Sequence, residues 1–155
     1  MRVRSEIASL PAERVRWALS GLPPAPGYRV VVRPLRYRSS PHLAGWTDFE
    51  ERVIVLQLPE PFFPFGEVIP YAAKRRAGKG LRFIWLTEGV TFRTPREVLR
   101  FLYLHEWMHW YLKERRGTSS HAETACDRFA LWNYRRRRVR EADAEAALAR
   151  GPRRR

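Results

Sequence analysis

Two histidines and a glutamate form the pattern His-Glu-x-x-His at His105, Glu106 and His109. Residues four apart lie on the same face of an α-helix, so both imidazoles can bind one tetrahedral metal ion. Glu106 lies about 100° further round such a helix, too far round to share the metal with both histidines. Its carboxylate can reach a water at the metal instead, where a general base is needed. The spacing therefore predicts a zinc site formed by His105 and His109, with Glu106 as the catalytic residue.

A third protein ligand is expected after the helix ends at about Gly117. The candidates are Glu123, His121 and Asp127. Glu123 and Asp127 are four apart and share a helix face, so one carboxylate can bind the metal while the other orients a ligand histidine. Glu123 also fits a different role, because Ser120 and Glu123 have the spacing of a helix capping box. The residues alone leave these alternatives open.

The H-E-x-x-H motif followed by Glu123-x-x-x-Asp127 resembles the gluzincin pattern of the zincin metallopeptidases. The residues that follow Glu123 are also similar to the E-x-x-A-N-x-F-A signature of ImmA/IrrE-type peptidases, with Asp127 in place of the asparagine. This resemblance implies that Glu123 is the third zinc ligand and that Asp127 supports the site without touching the metal. A competing similarity, to the SprT-like zincins, implies His121 as the third ligand. The specific motifs cover residues 105–130 only.

The helix that carries the metal motif has a clear predicted start. Thr94 can cap it, Pro95 suits its first turn and Glu97 completes a capping box. We expect the helix to run to about Arg115, and its apolar residues on all sides predict a buried central helix. Ionisable side chains buried in the middle of such a helix are costly without partners, and a metal ion removes that cost.

The elements around this helix are predicted in the order helix, strands, helices, which is typical of an α+β fold. The resemblance implies a minimal zincin-like domain over residues 1–150, with an N-terminal helix and a small, mostly antiparallel sheet, followed by a basic tail at 151–155. In similar zincins a strand before the metal helix pairs with extended substrate, which implies a protein or peptide substrate here. The predicted elements are a helix within 1–20, strands at 28–37, 45–49, 52–58 and 81–86, and helices at 121–138 and 141–150.

Basic residues outnumber acidic ones by 30 to 16, for a net charge of +14. The excess is mostly arginine, which is typical of a thermophile or of a GC-rich genome. A charge of this size also allows non-specific binding to nucleic acid, so a nucleic-acid-associated or regulatory protein with a structural zincin site, or one acting on DNA-bound proteins, is the alternative function. The candidate phosphate-binding residues lie near the C-terminus: Arg135, Arg136, Arg137 and Arg138. A solvated helix end explains the same arginines without a ligand.

The cysteine content and the hydropathy pattern bear on the compartment. Cys126 is the only cysteine, which excludes an intrachain disulfide and a zinc site built from several cysteines. No segment has the apolar length of a signal peptide or a transmembrane helix. We therefore expect a cytoplasmic protein with no membrane partner. The sequence makes no prediction of oligomeric state.

Overall fold

The structure, a computed structural model, describes residues 1–76, 82–119 and 122–149. Within these ranges strands precede the central helix and helices follow it, apart from one short helix near the N-terminus. A π-helical turn, Tyr111–Arg115, continues the central helix. The elements are β1 (Val3–Ser5), α1 (Ala12–Ala18), β2 (Arg29–Leu35), β3 (Ala44–Asp48), β4 (Val53–Pro59), β5 (Phe65–Arg76), β6 (Arg82–Phe92), α2 (Pro95–Trp110), α3 (Glu123–Asn133) and α4 (Ala142–Leu148).

The predicted α+β class is confirmed, with four strands in one sheet in the order β1-β2-β4-β3 and a separate β5–β6 hairpin. The prediction of antiparallel pairing is confirmed for β5–β6 and for β3–β4, and the structure adds parallel pairs that the sequence did not indicate. β1, β2 and β4 run parallel. For β1 and β2 the physical reason is a short β-α-β unit, because a helix between two neighbouring strands returns the chain in the same direction. β4 lies parallel to β2 because the chain first passes through β3, which runs antiparallel to β4 at the sheet edge.

The central strands have the composition that parallel pairing favours. β2 reads RVVVRPL and β4 reads VIVLQLP, and both are buried along most of their length. Continuous apolar runs of this kind are typical of strands covered on both faces. β3 pairs only with β4 in this sheet, in the predicted antiparallel hairpin, and therefore forms the sheet edge that lies nearest the metal motif.

Helix α2 begins as predicted. The Thr94 hydroxyl accepts a hydrogen bond from the Glu97 amide at 3.2 Å, and the Glu97 carboxylate accepts one from the Arg93 amide at 3.1 Å. Trp107 lies in the middle of the core, with its ring stacked on Tyr111 at a centroid distance of 5.1 Å. Despite this burial, no helix among the described residues is both long enough and apolar enough to cross a bilayer.

The first helix lies within its predicted range and starts at Ala12, after residues 3–5 have paired with β2 as a strand. The helix after the metal motif is shorter than predicted. α3 ends at Asn133 rather than continuing to Arg138, since the carbonyls beyond it are bound by a side chain of α2. The end of the predicted last helix and the basic tail at 151–155 lie outside the described residues.

The α2 side chain that binds these carbonyls belongs to Arg100, a buried arginine that is only 3% exposed. Its guanidinium donates to the carbonyls of Ala18 and Ser20, each at 2.9 Å, to that of Tyr134 at 2.9 Å, and to that of Arg136. Burial lowers the pKa of Arg100, and the nearby charge of another arginine adds to this. The four bonds join the end of α1 and the segment after α3 to the central helix.

Candidate metal centre

Three side chains converge where α2 faces the start of α3. His105 Nε2 lies 3.2 Å from His109 Nε2 and 3.1 Å from Glu123 Oε2, and His109 Nε2 lies 3.0 Å from Glu123 Oε1. Two donors at zinc distances of about 2.0–2.1 Å, separated by a tetrahedral angle, lie roughly 3.3 Å apart. The triangle therefore has nearly the size that one tetrahedral zinc ion requires.

The chain reaches this geometry through a turn after α2. His105 and His109 are one helical turn apart, which directs both rings to the same side. The π-helical turn leads to Gly117, whose φ of 60° lies in the left-handed region that glycine adopts without strain. The chain then returns so that α3 packs against α2, with Glu123 as its first helical residue. The predicted third ligand thus lies in the turn of α3 closest to both histidines.

Asp127 lies one turn further along α3 and faces the other nitrogen of His105. Its Oδ1 is 2.9 Å from His105 Nδ1, a close ion-pair contact whose alignment falls short of a full hydrogen bond. A carboxylate there fixes the ring so that Nε2 faces the other candidate ligands. Asp127 therefore lies on the far side of His105 from the cluster, whereas Glu123 belongs to the group of three residues that could hold a metal ion. The alternative ligand His121 lies outside the described residues.

The carboxylates around His105 dominate its protonation. Burial alone would lower the pKa of this histidine, but the contacts with Asp127 and Glu123, together with the charge of Glu106, outweigh burial and raise the pKa to about 10. Without a metal His105 is therefore protonated at neutral pH. A metal ion bound at Nε2 would have to displace that proton, so protons and metal compete for the same nitrogen.

Glu106 lies beside the triangle and is only 5% exposed. The Thr47 hydroxyl lies 2.9 Å from its Oε2 and 3.2 Å from its main-chain carbonyl oxygen, so β3 holds the carboxylate in place. Burial raises the pKa of Glu106, whereas the two histidines and the Thr47 hydrogen bond act in the opposite direction. A carboxylate with a raised pKa is a stronger base, which suits proton transfer near neutral pH.

An open cleft of about 290 Å³ gives access to these groups from the β3 side. Gly45 forms part of its wall, and a Cβ there would lie 2.9 Å from the Val55 carbonyl oxygen and 3.7 Å from Glu106 Oε1. A larger residue at this position would therefore force β3 away from β4 and crowd the carboxylate. The cleft is lined by Gly45, Trp46, Thr47, Phe49, His105, Glu106, His109 and Glu123.

Gly45 and Thr47 are the site residues that the sequence did not single out. Both lie in a strand that was predicted, and residues two apart in a strand point to the same face. The signal was therefore present as the pair Gly45 and Thr47 on one side of β3. The local pattern did not show that this side of β3 faces α2.

The predicted phosphate-binding arginines lie at the other end of α3 from Glu123. All four are exposed and follow the helix in an irregular segment. Arg135 forms an ion pair with Glu97 at 3.2 Å, and Arg136 forms one with Asp143 at 3.2 Å. The structure does not bring these arginines into the metal cleft.

No protein-family model, curated protein or solved structure matches this chain. The similarity to zincins therefore rests on the motif residues themselves. What the structure adds is independent of that similarity: two imidazoles and a carboxylate that could hold one metal ion, next to a buried glutamate in an open cleft.

Proposed function

We propose that this chain is a zinc-dependent metallopeptidase of the minimal zincin type, acting in the cytoplasm on proteins or peptides. The observation that carries the proposal is the triangle of His105 Nε2, His109 Nε2 and the Glu123 carboxylate, with sides of 3.0–3.2 Å. Next to this triangle, a general-base candidate lines the same cleft.

The donor set favours zinc in a catalytic setting. Two histidines and one glutamate are a ligand set of catalytic zinc sites, which keep a fourth position open for water or substrate. When bound, zinc would supply Lewis-acid chemistry, polarising an oxygen and easing the loss of its proton. Asp127 would keep His105 oriented as a ligand. A purely structural site would need neither the open cleft nor a buried base.

Glu106 carries the proton transfers in this proposal. Its carboxylate takes a proton from the attacking water and later gives it to the leaving nitrogen of the peptide, so the residue ends as it began. Thr47 holds one carboxylate oxygen, Oε2, which leaves Oε1 on the side of Gly45 and the cleft. The hydrogen bond to Thr47 thus makes the two oxygens inequivalent.

The edge strand β3 offers a place for substrate. It lines the cleft and pairs with β4 on one side only, so an extended peptide can add to its free side as a further strand. Main-chain hydrogen bonds of this kind position a peptide whatever its side chains are. This supports a peptide or protein as the substrate class.

The test compares wild type with Glu106→Gln, which keeps the shape of the side chain and removes the base. We expect both proteins to bind about one zinc per chain. Turnover of unfolded casein or a peptide library should fall by about a hundredfold to ten-thousandfold in the variant. Metal content is measured by elemental analysis and cleavage by mass spectrometry, with and without a zinc chelator.

His109→Ala is the matched control, because it removes a ligand and should cost both metal and activity. Equal cleavage by wild type and zinc-loaded Glu106→Gln would refute the mechanism. A wild-type protein that cannot be loaded with zinc would refute the site. A zinc-loaded wild type that cleaves nothing in the panel would favour the alternative of a structural or regulatory zincin site.

A further inference from the structure

A second surface with unused chemistry lies on α1, away from the metal centre. The Trp17 side chain is 66% exposed, although tryptophan is usually largely buried. The guanidinium of Arg96, in the first turn of α2, lies 4.9 Å from the centre of the Trp17 ring. An indole held on one side by a guanidinium and still mostly exposed presents its other face to solvent.

A groove of about 480 Å³ runs beside this tryptophan between α1 and α2. Its floor is apolar, formed by Leu10, Ala18 and Leu99, and Arg14 and Arg96 stand at its rim. Flat apolar rings fit such a floor, and the guanidinium groups above it suit negatively charged groups attached to those rings.

The segment Arg135–138 adjoins the same surface. The Arg100 guanidinium binds the carbonyls of Ala18 and Arg136 together, and the Val139 amide donates to the Gly21 carbonyl at 2.8 Å. The close approach requires glycine at position 21: its φ is 81°, and a Cβ there would lie 2.1 Å from the carbonyl oxygen of Arg137. The fold therefore places the main chain of Arg136 and Arg137 against the end of α1, the helix that carries Trp17 and Arg14.

Three arginines on this surface keep their positive charge unpaired. Arg14, Arg96 and Arg137 have no carboxylate ion-pair partner among the residues that the structure describes. Arg135 is paired with Glu97 and contributes less net charge. Unpaired arginines around an exposed aromatic ring form the combination that binds phosphates and unstacked bases together.

We propose that this surface binds single-stranded nucleic acid, with a base stacked on Trp17 and the neighbouring phosphates on Arg14, Arg96 and Arg137. Stacking on an exposed indole requires an unpaired base, since the bases of a duplex already stack on one another. A duplex would meet only the arginines. The surface is independent of the metal centre, which lies at the opposite end of α3.

The test measures binding of a labelled 20-nucleotide single strand and of the matching duplex at several salt concentrations, using the full chain. We expect tighter binding of the single strand, with log affinity falling against log salt with a slope of roughly −2 for three phosphate contacts. Trp17→Ala should weaken binding by roughly five- to a hundredfold, and Trp17→Phe should restore most of it, because a ring remains for stacking.

Two control variants remove the same groups elsewhere. Trp85→Ala removes another exposed tryptophan, 57% exposed on β6, and Arg4→Ala removes one positive charge on β1. Both should bind like wild type, whereas Arg96→Ala should weaken binding and flatten the salt slope. Thermal unfolding of each variant confirms that the fold is intact.

Three outcomes would overturn the proposal. The first is undetectable binding of the single strand at low salt. The second is that Trp17→Ala and Trp85→Ala weaken binding equally, or that neither weakens it. Binding would then reflect the overall positive charge of the protein rather than stacking on Trp17. The third is tighter binding of an acidic peptide of matched charge, which would make the surface a site for acidic proteins instead.

Discussion

Helix α2 buries charged groups in two places, and it satisfies them in opposite ways. At Arg100 the guanidinium is enclosed by main-chain carbonyls from two distant segments, and each of its bonds serves to hold the chain together. About one and a half to two and a half turns further on, His105, Glu106 and His109 are surrounded by side chains that face an open cleft. Their partners include other titratable groups rather than carbonyls alone.

This difference separates a buried charge that serves the fold from buried charges that are suited to a functional site. Carbonyl oxygens do not titrate and have no other role once bound, so the Arg100 arrangement can only stabilise the fold. The histidines and carboxylates of the metal centre compete for protons and crowd one point in space, which is a poor arrangement for stability alone. The comparison predicts that changes at the first place affect stability, whereas changes at the second affect metal binding and catalysis.

The largest effect is expected at Arg100. Arg100→Met should lower the free energy of unfolding by about 3 kcal/mol or more, because two buried and two partly buried carbonyls lose a charged donor at once. For a domain of this size that corresponds to a fall in melting temperature of roughly 6–12 °C. Thermal and denaturant unfolding measure it. Zinc content per folded chain should stay at the wild-type value, and a loss of zinc without a loss of stability would break the comparison.

A smaller effect is expected at Asp127. Asp127→Asn keeps the size of the side chain but removes the negative charge beside His105 Nδ1. Residues that orient a metal-bound histidine typically contribute about ten- to a hundredfold in metal affinity. Competition with a chelator of known affinity measures the change. An affinity equal to that of wild type would mean that Asp127 does not orient the ligand.

The pH dependence of zinc binding gives a further, graded test. With the pKa of His105 raised to about 10, zinc bound at this histidine would displace a proton at every pH below that value. The apparent affinity should therefore rise with pH, by up to about tenfold per unit between pH 6 and 9. In the metal-free protein the stability of the fold changes in the opposite direction, falling as pH rises. Protonated His105 stabilises the fold, and that contribution is lost as pH rises from 6.5 toward 10. Zinc-induced shifts in melting temperature across this range measure both.

The smallest expected change in stability comes from Glu106→Gln. Because burial raises the pKa of Glu106, its ionised form costs free energy in the folded protein above its unfolded pKa. The glutamine variant should therefore unfold at the same temperature as wild type at pH 7 or slightly above it. This contrasts with Arg100→Met. A clear loss of stability in Glu106→Gln would show that the carboxylate is structural, like the arginine.

The sequence predicted the parts of the fold whose signals are local. The capping residues Thr94 and Glu97 marked the start of α2, and alternating and continuous apolar runs marked the β3–β4 hairpin. The spacing of the metal motif placed two imidazoles together, and the helical spacing of Glu123 and Asp127 placed one carboxylate on each side of His105. Each of these patterns lies within a short stretch of sequence, so it can be recognised without knowing which distant segments pack together.

What could not be predicted depends on contacts between distant segments. Arg100 reads as an ordinary polar residue of a helix, and only the packing of α1 and of the segment after α3 makes it buried. The parallel β1–β2 pair depends on Val3–Ser5, which is too short to stand out as a strand. The partnership of Thr47 with Glu106 spans 59 residues, so no local pattern contains it.

The acceptors of Arg100 also have a consequence for the order in which the chain is made. Synthesis proceeds from the N-terminus, so the candidate ligands from His105 to Glu123 leave the ribosome before Tyr134 and Arg136, whose carbonyls complete the set around the guanidinium. A nascent chain therefore contains all three proposed zinc ligands at a stage when two of the four carbonyls that bind Arg100 have not yet left the ribosome. On the proposed function, the supply of zinc during translation would influence how many chains reach the folded state as well as how many are active.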